Sequence, residues 1–148
     1  MGKKTVLVCG LFNWEKTEYQ DYLQQAKDYG DKLIVVIATD KNIEKLLGIK
    51  PQYTEKERLA YVQQLWLADH AEISQSDDCF KNINNYKPDL VVLKAGANKL
   101  LYELSNFLFE NRIKTNVLTI DVNNIKWEIH KAKKIFHKQD NQQRTSKK

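Results

Sequence analysis

Two short runs, TVLVC at 5–9 and LIVVIA at 33–38, lack the alternation of polar and apolar positions that marks a strand with one wet face. Strands of this kind must be covered on both sides, which is the situation of the central strands in a parallel sheet. Between them, TEYQDYLQQAKDYG places Tyr19, Tyr22, Leu23, Ala26 and Tyr29 three and four residues apart. That spacing puts one apolar face on a helix. A buried strand, an amphipathic helix and a second buried strand form a parallel pair with a crossover, and right-handed crossovers set helices on the two faces of the sheet.

The rest of the chain repeats this alternation. Thr54 and Glu57 form a capping box for a helix whose apolar face is expected to hold Leu59, Val62, Leu65 and Trp66. Ala71–Ser74 reads as a short strand, and a helix near 77–86 buries Phe80, Ile83 and Tyr86. Pro88 stops that helix ahead of LVVL at 90–93. The helix KLLYELSNFLFEN that follows is apolar around most of its circumference, with Asn111 at its end. Val117–Ile120 is a fifth strand, and Asn124 is expected to start a last helix carrying Ile125, Ile129 and Ala132 on one face. Gly30 stands where a helix end favours a left-handed residue. The expected fold is α/β, a Rossmann-like three-layer α/β/α sandwich with a five-stranded parallel sheet in the order 3-2-1-4-5. Ligands of such sheets bind beyond the carboxyl ends of the strands, where the strand order reverses. That points to Gly10–Lys16, Ala38–Asn42, Lys94–Asn98 and Asp121–Asn124.

A length of 148 residues suits one domain, expected over 1–137, with a basic and disordered tail at 138–148. The net charge of +5 belongs to that end: from Lys126 onward eight basic residues face two acidic ones. Such a tail offers a solvated end or a contact for nucleic acid. Cys9 and Cys79 sit beside apolar residues and are expected as reduced core thiols. The apolar run before Asn13 is too short for a signal peptide or membrane span, so a soluble cytoplasmic protein with no membrane insertion is the default. Asp69, His70 and Glu72 lack the spacing of a zinc set, and no metal site is expected from the residues alone.

From VLVCGLFNWEKTEYQDYLQQAKDYGDKLIVVIATD through YTEKERLAYVQQLWLADHAEI and YKPDLVVL, the chain resembles the cytidylyltransferase-like nucleotidyltransferases, most of all the small glycerol-3-phosphate cytidylyltransferases. The resemblance implies a dimeric protein that couples a nucleoside triphosphate to a phosphorylated alcohol and releases pyrophosphate. Gly10 and Phe12 fall on the family's strand-ending turn, and Arg58 falls on its arginine after the variable loop. The signature histidines fall on Lys16 and Tyr19, its glycine on Glu18, and the aspartate of the turn on Asn13. After the fourth strand Lys94 and Ala95 stand where the family has a glycine and an acidic residue. The segment Val122–Ile125 replaces its Ser/Thr-rich phosphate turn, with Lys126 retained.

Framework kept and signature changed leave three readings. The favoured one is a degenerate, non-catalytic domain acting through nucleotide or protein binding, with Gly10, Leu11, Phe12, Lys16, Arg58 and Asn124 around the nucleotide. The alternative is an active Mg²⁺-dependent cytidylyltransferase that joins CTP to a phosphorylated alcohol, with Lys16 and Arg58 stabilising phosphate in place of the paired histidines. The third is a nucleic-acid-associated or assembly protein using the basic tail. A homodimer is expected from the resemblance and from the excess apolar surface of helix 99–110.

Overall fold

Thr5–Gly10 (β1) lies at the centre of the sheet, with Lys32–Ile37 (β2) on one side and Leu90–Lys94 (β4) on the other, both parallel to it. His70–Ile73 (β3) pairs with β2, and Asn116–Asp121 (β5) pairs with β4, again parallel. The five parallel strands thus run 3-2-1-4-5, and the chain forms the expected α/β three-layer sandwich. The computed structural model describes residues 3–12, 16–75, 79–121 and 126–130.

The both-face apolar pattern produces two cores, one under each helical layer. Val6, Val8, Leu33, Val35 and Ile37 pack on one side with Tyr19, Tyr22 and Leu23 of helix α1 (Lys16–Lys27) and Val62 of α3 (Glu55–Gln64). Leu7, Cys9, Ile34, Val36, Val91 and Leu93 pack on the other with Ile83 of α4 (Phe80–Tyr86) and Leu104 and Leu108 of α5 (Asn98–Glu110). Helix α2 (Asp40–Leu47) is capped by Thr39, whose side chain accepts from the Asn42 N–H, and ends at Gly48 in the left-handed region. Thr54 and Glu57 close the capping box of α3 reciprocally, as their spacing predicts.

Four expectations change. The segment after β5 is not a helix: Lys126–His130 (β6) pairs antiparallel with β5, in register from Asp121↔Lys126 to Val117↔His130. KWEIH alternates polar and apolar residues with period two, and the otherwise open edge of β5 gives that period a partner. Trp66 is 88% exposed, because α3 stops at Gln64 and Trp66 itself takes φ 59°, which turns the chain off the helical period. Cys9 and Cys79 are joined as a disulfide, their Cα atoms 6.2 Å apart, rather than standing as separate thiols. Gly30 is not among the residues with positive φ, and α1 ends earlier, at Lys27.

What fixes Gly30 is close approach: a Cβ there would lie 2.6 Å from Val6 Cγ2 and 2.9 Å from the Lys4 carbonyl oxygen. That carbonyl already accepts from the Asp31 and Lys32 N–H groups, so it cannot withdraw without breaking the entry to β2. Gly30→Ala is expected to destabilise the fold by about 1–3 kcal/mol, the usual cost of overpacking. The midpoint of urea denaturation would fall at unchanged slope, and an unchanged midpoint would show that the β1–α1 layer yields without cost.

Candidate active site at the carboxyl edge of the sheet

Strand β1 ends at Gly10, and the chain then takes a sharp turn in which Phe12 adopts φ 55°. A phenylalanine in the left-handed region costs on the order of 1–2 kcal/mol and persists only where its surroundings over-determine it. They do so here. The Phe12 side chain is buried, its ring edge-on to Tyr19 at 5.1 Å and near Tyr22 at 6.2 Å. The Tyr19 hydroxyl donates to the Phe12 carbonyl. Burial pushes the Tyr19 phenol well above its ordinary range, only partly opposed by the Arg58 charge, so the hydroxyl stays a neutral donor.

The carbonyl of Leu11 is held from the other side. Arg58, buried at 1% exposure, donates from Nη1 to Leu11 O at 2.6 Å, from Nε to Tyr53 O at 3.1 Å and from Nη2 to Asp40 Oδ1 at 2.8 Å. The Asp40 N–H donates to Glu55 Oε1 at 2.7 Å. One guanidinium therefore ties together the turn after β1, the start of α2 after β2, and the loop before α3. Arg58 reaches this position because it shares a helical face with Val62, one turn along α3. Its buried fork is matched to carbonyl and carboxylate oxygens, which a lysine could not satisfy at three points.

Beside the turn lies a narrow cleft lined by Gly10, Leu11, Ala38, Asn42, Cys79 and Leu100 among others. It sits at the carboxyl ends of β1 and β2, next to the β1/β4 switch point where order reverses. Two larger hollows, one lined by Gln63, Trp66 and His70 and one by Phe109, Arg112 and Asn116, lie around the amino-terminal ends of β3 and β5. On the far side of the switch point, β4 ends at Lys94 and Gly96 takes φ 99° in the turn before α5. That conformation favours glycine and explains the lone glycine of this loop.

The expected site residues thus separate. Gly10, Leu11 and Phe12 form the turn, and Lys16 is the first residue of α1 directly beyond it. Arg58 lies beneath the turn, with its guanidinium on protein oxygens. Tyr19, at the second signature position, belongs to the core. Asn124 and Asn13 lie outside the described residues, as does the tail at 138–148. Sequence reasoning placed Asp40 only within the Ala38–Asn42 loop and gave no warning of its link to Arg58, whose other two partners are backbone carbonyls. His70 and Glu72 form a buttress on the edge strand: His70 Nε2 lies 2.8 Å from Glu72 Oε1, Tyr86 donates to the same oxygen at 2.8 Å, and Asn82 donates to Oε2. Partial burial pushes the Glu72 carboxyl up, but the bonds from His70, Tyr86 and Asn82 outweigh it and hold it below the usual range. Asp69 accepts the Leu33 N–H at 2.8 Å.

The cytidylyltransferase-like family model matches residues 8–141, nearly the whole chain. The protein belongs to the cytidylyltransferase-like family. A FAD synthase of Methanohalophilus mahii is 38% identical over 88 residues, which span 60% of this chain and 61% of that protein. A FAD synthase of Methanolacinia petrolearia is 32% identical over 120 residues, 80% of this chain and 78% of the relative. Among solved structures, the lipopolysaccharide core biosynthesis protein of Thermoplasma volcanium superposes with a TM-score of 0.71 at 28% identity, covering 81% of this chain and 98% of that one. Two expectations are corrected by these relatives. The curated proteins it resembles are FAD synthases rather than glycerol-3-phosphate cytidylyltransferases. They are enzymes, which overturns the reading of a domain that only binds. Any enzymatic activity of the protein would fall in the nucleotidyltransferase class to which its family belongs, although the paired histidines of the signature are absent from its sequence. Family membership carries a capacity to bind nucleotide. Among the described residues no helix is long and apolar enough to cross a membrane, and no group of three or more His, Cys, Asp and Glu side chains is placed to hold a metal ion.

Proposed function

We propose that this protein transfers a nucleotidyl group from a nucleoside triphosphate to the phosphate of a second substrate and releases pyrophosphate. The observation that carries the reading is the likeness to FAD synthases, which in one relative extends over 120 residues and 80% of this chain. The first donor and acceptor to test are therefore ATP and flavin mononucleotide, whose union is FAD, with CTP as the competing donor. A phosphate oxygen of the acceptor attacks the α-phosphorus of the triphosphate. The bond from that phosphorus to the bridging oxygen breaks, and pyrophosphate carries away the charge.

In this reading the turn Gly10–Phe12 receives the triphosphate, and the opening N–H groups of α1 together with Lys16 attract its oxygens. Arg58 acts from beneath by fixing the Leu11 carbonyl and the start of α2. Mg²⁺ would come with the triphosphate. Bound there, Mg²⁺ neutralises phosphate charge. Asp121 closes β5 at the carboxyl edge of the sheet. The same reading keeps the protein in the cytoplasm and retains a homodimer, for which the half-exposed Phe109 on α5 offers apolar surface.

Pyrophosphate release measured with ATP or CTP, Mg²⁺ and flavin mononucleotide tests the proposal. Release that needs both substrates, with a strong preference for one triphosphate, is the expected result. No release with either triphosphate across micromolar to millimolar substrate would defeat it.

A further inference from the structure

Helix α3 is followed by a residue whose backbone is strained and whose side chain the core does not use. Leu65 caps the helix, and Trp66 comes next at φ 59°, its N–H donating to the Gln63 carbonyl at 3.2 Å. Helices that end on a left-handed residue place glycine or asparagine there, because a larger side chain crowds the backbone. Phe12 is left-handed as well, but burial of its ring offsets the strain. Trp66 is 88% exposed, so the protein covers almost none of its apolar surface. A strained aromatic with so little internal contact marks a surface used by something else.

The ring stands at a hollow of about 540 Å³, the size of a small-molecule site, beside the amino end of β3. Gln63 and Gln64 line it from the last turn of α3, and Asp69 and His70 line it from the entry to β3. Ala68 and Ala71 contribute only short side chains, which leaves the space open. The walls are fixed in advance. Lys27 Nζ donates to the Leu67 carbonyl at 2.9 Å. Asp69 bonds Leu33 twice: its N–H donates to the Leu33 carbonyl and its Oδ2 accepts the Leu33 N–H, each at 2.8 Å. We propose that this hollow binds a neutral sugar residue, stacked on Trp66 and hydrogen-bonded by Gln63, Gln64 and Asp69.

The chemistry of the lining selects that class. The face of an indole is negative, and the C–H bonds on the flat side of a pyranose ring present weakly positive hydrogens to it. Each glutamine amide offers a donor and an acceptor, and Asp69 keeps Oδ1 beyond its bond to Leu33. Neighbouring hydroxyls, which both donate and accept, match that set. Phosphates and carboxylates do not: among the described residues no lysine or arginine lines the hollow, and the Asp69 carboxylate repels an anion. A wholly apolar ligand would cover the two amides and the carboxylate without pairing them. The hollow lies at the opposite edge of the sheet from the Gly10–Phe12 turn, so the site does not depend on the transfer chemistry proposed above.

Saturation-transfer NMR on the full chain tests the site, with the methyl glycosides of glucose, mannose and galactose and with N-acetylglucosamine as millimolar probes. At least one should receive saturation, strongest at the protons on one face of its ring. Trp66→Gly should weaken that binding by about tenfold or more, because the stacking surface is gone. Its melting temperature should nevertheless stay at or above that of wild type, since glycine adopts the left-handed conformation without strain. Trp66→Phe should keep part of the affinity. Gln63→Ala combined with Gln64→Ala should lower it about three- to tenfold with the fold intact. Absence of transfer to every sugar would overturn the proposal, as would equal binding by Trp66→Gly. A melting temperature of Trp66→Gly below wild type would make the ring a part of the fold and have the same consequence. So would tighter Trp66-dependent binding of AMP or CMP than of any sugar.

Discussion

Lys16→Ala is expected to lower kcat/KM for pyrophosphate release by about 10²–10³, or about 3–4 kcal/mol of transition-state stabilisation. Of the three changed signature positions, only Lys16 is left to meet a phosphate. Tyr19 is buried, and its hydroxyl is engaged by the Phe12 carbonyl. Glu18 brings a carboxylate into the first turn of α1, where it competes for the same helix-start N–H groups that would attract an anion. In the proposed reading, one lysine would carry what two imidazoles otherwise share. Lys16→Arg should retain part of the rate, because the charge survives but its geometry changes. Lys16→His should retain more than alanine at a pH below about 6.5, where the ring is charged, and lose that advantage as pH rises. The melting temperature should stay within a degree or two of wild type. Undiminished turnover in Lys16→Ala would remove this residue from the site and with it the account of how the changed signature works.

Arg58→Ala is the second large effect, and it acts on stability before it acts on rate. Removing the guanidinium leaves the Leu11 and Tyr53 carbonyls without their Arg58 donors and separates Asp40 from its counter-charge. It also opens a cavity beside Val62. Breaking a buried charge-assisted network by deleting one partner costs about 3–5 kcal/mol, which for a domain of this size lowers Tm by roughly 10–15 °C. Arg58→Lys should recover only a small part, because an ammonium cannot span the three acceptors. Asp40→Asn should cost much less, since its side chain is 36% exposed and water replaces the lost charge pairing. A phosphate ligand would give the opposite pattern, with binding impaired and Tm intact. Thermal denaturation of Arg58→Ala therefore separates a residue that grips substrate from one that grips the protein. A Tm equal to wild type would assign Arg58 to the former.

The contrast between these two residues marks how far the sequence could be read. The parallel sheet was legible because β1 and β2 are apolar on both faces, a pattern that only double coverage explains. The core position of Tyr19 was legible from its spacing to Tyr22 and Ala26. The placement of Arg58 was not, because backbone carbonyls leave no mark in the sequence and its acidic partner precedes it by 18 residues. The cysteine pair was hidden for a similar reason: 70 residues separate its members, and nothing local relates them. Strand β6 was lost to a competing signal, since Ile125 and Ile129 fit a helical period as well as Trp127 and Ile129 fit a strand. The tie is broken only by the edge of β5, a partner visible once the sheet is assembled. Within the candidate site, the turn and the start of α1 could be located from the framework, whereas the division of labour between contact and support depended on burial.

The connection between β5 and β6 also bears on how the chain finds its fold. Four residues join these strands, while every parallel pair in the sheet spans at least one helix, and β1 must meet β4 across more than half the chain. Loop-closure entropy rises with each such span. By that measure the hairpin at the C-terminal edge is the cheapest pairing to nucleate and the β1–β4 junction the dearest. The seam at the switch point, where the turn after β1 gains its neighbours, is thus the part of the sheet with the slowest intrinsic assembly.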